Sequence, residues 1–217
     1  MSSAMLELIL AATLDTLYMV AVSGVIAAAL GVPLGVLLYV TRPGQILAQP
    51  LSNRILGIVT NIGRSVPFII LLVAIIPFTR MLVGSSIGTS AAAVPLTIAA
   101  IPFVARLVEG ALNEVPPGLV EAAQSMGATP LQIITKVLLP EARGGIITGL
   151  TITVVTLISY SAMAGAVGGG GLGDLGIRYG YNRFNPTVML ITVVILVVLV
   201  QGFQMLGDYL VRRTDHK

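Results

Sequence analysis

The chain has 217 residues, 56% of them hydrophobic and only 10% charged, with a mean hydropathy of +0.99. Soluble domains carry about 25% charged residues, so this is an integral membrane protein. Zero cysteines and a single histidine, His216, exclude disulfides, thiolate or multi-histidine metal sites and a buried Ser-His dyad, and a net charge of only +3 leaves no nucleic-acid footprint.

Residues 1–12 hold Glu7 and no basic residue, so they lack the positive start of a cleaved signal peptide and are expected to remain as an extracytoplasmic segment. A first span is predicted over about residues 14–40, kinked at Pro33. Ser23, Ala27, Gly31 and Gly35 recur every fourth residue there and form a small-residue face for close helix packing. After the Arg42-Pro-Gly turn, Leu51 to Gly63 reads as an interfacial helix. The second span covers about 66–83 and the third about 89–112, where Arg106 and Glu109 have the spacing to pair. A fourth span over about 144–167 holds Ser159, Tyr160, Ser161 and Met163, the most polar intramembrane patch. Ser159, Tyr160 and Met163 either line a path or pack between helices. The glycine-rich loop 168–181 contains Gly171-x-Gly-x-x-Gly176. A dinucleotide site would need a preceding strand in a βαβ unit, so this run is read as a tight turn. The fifth span is about 186–206, and 207–217 form a tail.

Between the third and fourth spans the sequence turns polar. Pro116 and Pro117 open a short helix, Gly127 ends it, and Thr129, Pro130 and Gln132 form a capping box for a second. Ile133, Ile134, Val137 and Leu138 supply its apolar stripe, and Pro140 marks an expected turn. The small residues Ala122, Ala123, Ser125 and Gly127 would let another surface approach this elbow closely. With the elbow and C-terminus on one side, nine basic residues face three, or seven against three without Arg64 and Arg106. That excess places the elbow, the tail and His216 in the cytoplasm and the N-terminus outside.

The spacing Glu121-Ala122-Ala123-x3-Gly127-x9-Val137-x-Leu139-Pro140 resembles the EAA loop of ABC-importer permeases, with Val in place of Ile. The stretches Tyr39–Gln45, Arg64–Leu72, Pro77–Arg80 and Ser159–Gly168 are similar to permeases of bacterial methionine ABC importers. That resemblance implies an all-α integral membrane protein of the type I importer fold, with five transmembrane helices and a cytoplasmic coupling helix between spans three and four. It implies a permease of the bacterial inner membrane, not an enzyme, that moves methionine (L- and also D-) by alternating access. The implied partners are a second copy of the chain, two ABC ATPases carrying ATP and magnesium, and an external methionine-binding lipoprotein. The chain itself would hold no cofactor. Glu121, Ala122, Ala123, Ser125, Met126, Gly127 and Ala128 would dock in the ATPase. The alternatives are a permease for osmoprotectants such as betaine or choline, and an ATP-independent secondary transporter. The second is disfavoured because Glu109 and Asp208, at span ends, leave no carboxylate for ion coupling near the middle of a span.

Overall fold

The computed structural model of the chain describes residues 3–214; His216 and Lys217 lie outside them. The described residues fold into helices α1 (Ser3–Val40), α2 (Pro50–Ser65), α3 (Phe68–Ala74), α4 (Ile76–Val83) and α5 (Thr89–Asn113). There follow α6 (Pro117–Ser125), α7 (Pro130–Ile133), a π turn (Ile134–Leu138), α8 (Leu139–Glu141), α9 (Arg143–Gly165), α10 (Gly171–Leu175), a second π turn (Gly176–Tyr181) and α11 (Pro186–Thr214). Four of these, α1, α5, α9 and α11, are long and apolar enough to cross a membrane. A fifth candidate crossing is the α2–α3 pair, bent by 98°.

The core is a seam between α1 and α5, which run side by side in the same direction. Ser23, Ala27, Gly31 and Gly35 are all buried in it, as their fourfold spacing predicts. The Ser23 hydroxyl donates to the Ala93 carbonyl at 3.1 Å. At Gly31 an added Cβ would lie 2.7 Å from Val104 Cβ and 2.9 Å from the Ile101 carbonyl oxygen. At Gly35 it would lie 2.6 Å from the Ala105 carbonyl oxygen. The two backbones therefore touch, which is how helices associate where lipid supplies no hydrophobic drive. Leu96, Val104, Val108 and Leu112 of α5 are essentially inaccessible and carry the rest of the contact. Helix α9 packs on the other side of α5, with Gly149 against Leu107.

Several elements differ from the sequence expectations. The segment 1–12 is helical from Ser3 and continuous with the first span, because nothing in Ala4–Ala12 breaks a helix. The span expected over 66–83 is two short helices, α3 and α4. Pro67 interrupts the chain between α2 and α3, and the backbone kinks again at Ile75, ahead of Pro77. The glycine loop is instead the buried helix α10 and a π turn. There the Gly173 and Gly165 backbones sit directly against α9 and α10 respectively, and the Leu172 amide donates to Thr16 Oγ1 at 2.9 Å. Packing has overridden glycine's poor helix propensity. Residues 207–214 of the expected tail extend α11, with Gly207 buried against Thr151.

Gly35→Val is expected to force the seam apart, costing about 1–3 kcal/mol through overpacking. Gly24→Ala, whose Cβ would meet only Leu157 Cδ1 at 3.7 Å, should leave stability unchanged or slightly raised. Thermal unfolding of the purified variants decides, and equal midpoints for Gly35→Val and the parent would refute the seam.

Candidate functional site

The elbow between α5 and α9 is built by local signals. Pro117 occupies the first turn of α6, where its missing N–H costs nothing. At the other end Met126 is the C-cap and Gly127 follows with φ +77. The Gly127 amide donates to the Gln124 carbonyl at 2.9 Å and the Ala128 amide to the Ala123 carbonyl at 3.1 Å. Those two bonds are a Schellman closure. No atom lies within 4 Å of a Cβ added at Gly127, so glycine is needed there for its left-handed backbone and not for room. The predicted capping box is present: Thr129 accepts from the Gln132 amide, and the Gln132 side chain accepts from Thr129 N–H at 2.9 Å. Ile133 and Leu138 of the apolar stripe are fully buried, with Ile134 and Val137 packed beside them.

Pro140 does not turn the chain. It has no N–H to give, and the helix absorbs this by widening into the π turn, where the Leu139 amide reaches the Ile134 carbonyl. The path from Pro130 to Gly165 is thus one nearly continuous helix, interrupted only at Ala142 (φ −79, ψ 0).

The expected docking residues divide into two groups. Glu121, Ala122, Ser125, Met126 and Gly127 are exposed and Ala128 is half-buried. Ala123 instead is 4% exposed and packs into the core. Its small size lets α6 close against the elbow's second helix, so it is not available to a partner. Met126 is 81% exposed, and Leu131 at 70% adds an apolar neighbour the sequence did not single out.

Beneath the elbow lies an ion cluster. Arg106 and Glu109 pair as their spacing predicts, at 2.6 Å. Arg42 joins them, 2.7 Å from the other carboxylate oxygen, and also donates to Asn113 at 2.7 Å. Arg106 further donates to the Gly57 carbonyl at 3.0 Å and to Asn61 at 2.9 Å. Glu109 is buried, and through it the turn after α1, the helix α2 and the last turns of α5 are tied together next to the elbow. Arg42 carries no local signal of this role, because its partner lies far along the chain.

Higher in the bundle, a cavity of about 160 Å³ lies between α2, α3, α5 and α9. Tyr160 lines it and stacks on Phe68, with ring centroids 4.5 Å apart and an interplanar angle of 8°. Ser159 and Met163 do not line it; both are exposed along α9. Arg64 lies on its wall. The neighbouring Gly63 sits against Pro102, midway along α5, so Arg64 is no marker of a membrane face and the basic count without it is eight against three. A wider cavity of about 830 Å³ opens nearer the elbow, bounded by Glu114, Glu141 and Arg143, where Arg143 donates to the Thr214 carbonyl.

The described residues thus form an all-helical bundle with several candidate membrane crossings and a capped polar elbow between two long apolar helices. The chain belongs to the family of binding-protein-dependent transport system inner membrane components, whose sequence profile matches residues 31–216. It is 65% identical over 211 residues to a probable D-methionine transport system permease protein, MetI, of Vibrio cholerae, covering 97% of this chain and 94% of that one. It is 55% identical over 165 residues, 76% of each chain, to the D-methionine transport system permease protein MetI of Escherichia coli. A chain of the MetNI methionine ABC transporter in inward-facing conformation matches at TM-score 0.97 and 55% identity, covering 100% of both. An amino acid ABC transporter crystallised with histidines shares the fold, at TM-score 0.77 and 21% identity.

Glu109→Gln should destabilise the protein by about 3–5 kcal/mol, because it leaves two arginines facing each other without their counter-charge. Arg178→Gln removes the exposed pair with Asp174 and should cost at most about 1 kcal/mol. Thermal unfolding separates the two, and equal effects would refute the cluster's structural role.

Proposed function

We propose that the chain is the membrane-spanning permease subunit of an ATP-driven importer that carries methionine into the cytoplasm. The observation that carries this is the likeness over 100% of the chain to the methionine ABC transporter, at 55% identity. Its relatives are named for D-methionine, so both enantiomers belong in the test. The reading takes the α2–α4 region as one broken crossing, giving five spans. The basic-residue excess supports a cytoplasmic elbow and an outer N-terminus.

The working unit is a homodimer on two cytoplasmic ATPases, fed from outside by a methionine-binding lipoprotein. ATP and magnesium act on the ATPases. Glu121, Ala122, Ser125 and Met126 present the docking surface, and Gly127 holds its shape. Motion of the docked elbow passes into α9 along the nearly continuous helix from Pro130, and into α5 through the short link to Pro117. Alternating access follows if α9 of the two copies approach and separate at Ser159 and Met163, both exposed in the single chain.

Two experiments test this. Met163→Cys introduces the sole cysteine; it should cross-link between copies in the resting complex and less with ATP bound, whereas lipid-facing labelling in both states would remove Met163 from the gate. Reconstituted with its ATPase and binding protein, the parent should accumulate labelled methionine only with ATP. Gly127→Asp adds a side chain where φ is positive, at about 1–2 kcal/mol, and a charge on the docking face. It should still reach the membrane but lose the ATPase and uptake. Normal assembly and uptake in Gly127→Asp would sink the coupling role, and accumulation of betaine without methionine would transfer the assignment to an osmoprotectant permease.

A further inference from the structure

Arg64 is placed where a charge is expensive. It lies in the last turn of α2, exposed in the single chain and one residue after Gly63, which sits against Pro102, and the Thr153 and Thr156 that share its cavity lie midway along α9, so it stands near the middle depth of two crossing helices. No ion pair or hydrogen bond to its guanidinium occurs among the described residues, whereas Arg42 and Arg106 both pair with Glu109. An unpaired intramembrane arginine facing a cavity marks a place for an anionic group in transit.

The rest of the cavity wall fits one class of ligand. The hydroxyls of Thr153 and Thr156 donate to the Gly149 and Ile152 carbonyls, each at 2.8 Å. Their lone pairs remain free to accept from a ligand N–H. Phe68, Phe103 and Tyr160 make the remaining surface apolar. The cavity is about 160 Å³, about half the lower limit of roughly 300 Å³ for sites of drug-sized ligands, so it suits a single small molecule. A guanidinium, two acceptor hydroxyls and an aromatic wall complement a zwitterionic amino acid with an apolar side chain.

We propose that this cavity is a substrate site within the permease itself. The ligand carboxylate pairs with Arg64, the ammonium donates to Thr153 and Thr156, and the side chain lies against Phe68, Phe103 and Tyr160. This deepens the methionine reading and rests on it. Quaternary ammonium ligands such as betaine have no N–H for the threonines and fit less well. A transit site must also release its cargo, so occupancy is weak and requires high substrate concentration.

Val66, exposed on the cavity wall, supplies a reporter, because the chain has no cysteine. In the permease–ATPase complex, Val66→Cys is labelled with a small water-soluble thiol reagent and modification of the permease subunit is followed by mass. Methionine should slow labelling, and so should norleucine, which keeps both charges and an apolar side chain. Methioninol, which lacks the carboxylate, should not. Adding Arg64→Gln should raise the methionine needed for protection by roughly 10- to 100-fold, as expected for loss of a charge-assisted hydrogen bond; Arg64→Lys should raise it less. The Arg64→Gln subunit should still co-purify with its ATPase and unfold at the parent's midpoint, which a collapsed bundle would not allow. Ala99→Cys, also on the cavity wall, replaces the reporter if Val66→Cys assembles poorly. Undiminished protection in Arg64→Gln, or no protection in a complex that still accumulates methionine, overturns the site. Failure of the unsubstituted complex to accumulate methionine would instead remove the reading on which it rests.

Discussion

The direct backbone contact between α1 and α5 is the constraint on which the rest depends. In lipid, an apolar side chain gains little by leaving the bilayer for a helix interface, so association relies on close van der Waals approach and buried hydrogen bonds. Gly31 and Gly35 allow that approach, and Ser23 adds a bond across it. With α5 fixed in this way, its far side receives α9, and its last turns hold Glu109 where Arg42 and Arg106 can both reach it. The elbow then leaves α5 from a clamped base, so that the short α6 has a rigid support despite its few residues.

Functional parts are distributed unevenly on this frame. The elbow is held by backbone caps that need no partner protein, the Schellman closure at Gly127 and the box at Thr129. Its exposed apolar residues Met126 and Leu131 are left over from that local folding and are free for recognition. The cavity around Tyr160, by contrast, exists only through tertiary packing of four helices. A substitution in the elbow can therefore alter docking while the bundle stays intact, whereas one in the seam alters everything above it.

What the sequence disclosed follows the range of the forces involved. The small-residue face, the capping box, the helix stop at Gly127 and the Arg106–Glu109 pair all depend on residues within a few turns, and each was legible. Arg42's place on Glu109 depends on a contact between elements far apart in sequence and was not. The α10 helix was hidden because glycine reads as loop, while its actual role at Gly173 is to let two backbones touch. Pro140 read as a turn because a missing amide breaks an α-helix, but a π turn offers a different acceptor register. Ala123 looked identical to Ala122 in sequence. Only the rotation of α6 on the core separates the inward alanine from the outward one.

The length of α1 has a consequence for the surrounding membrane. Its 38 residues span about 57 Å at the helical rise, against a hydrocarbon thickness of about 30 Å. Because Ser23 already meets Ala93 near the start of α5, most of the surplus lies on the N-terminal side. There Leu6, Leu10 and Leu14 are exposed, while Ile9 and Ala12 pack with Leu172 and Val188. A tilt of about 40°, the upper end for such helices, still leaves about 44 Å along the bilayer normal. On this flank the lipid must thicken, or leucines must lie among the headgroups. The protein therefore presents a hydrophobic mismatch that differs from one side of the bundle to the other, and acyl-chain length becomes a variable that acts on α1 before it acts on the shorter α5 and α9.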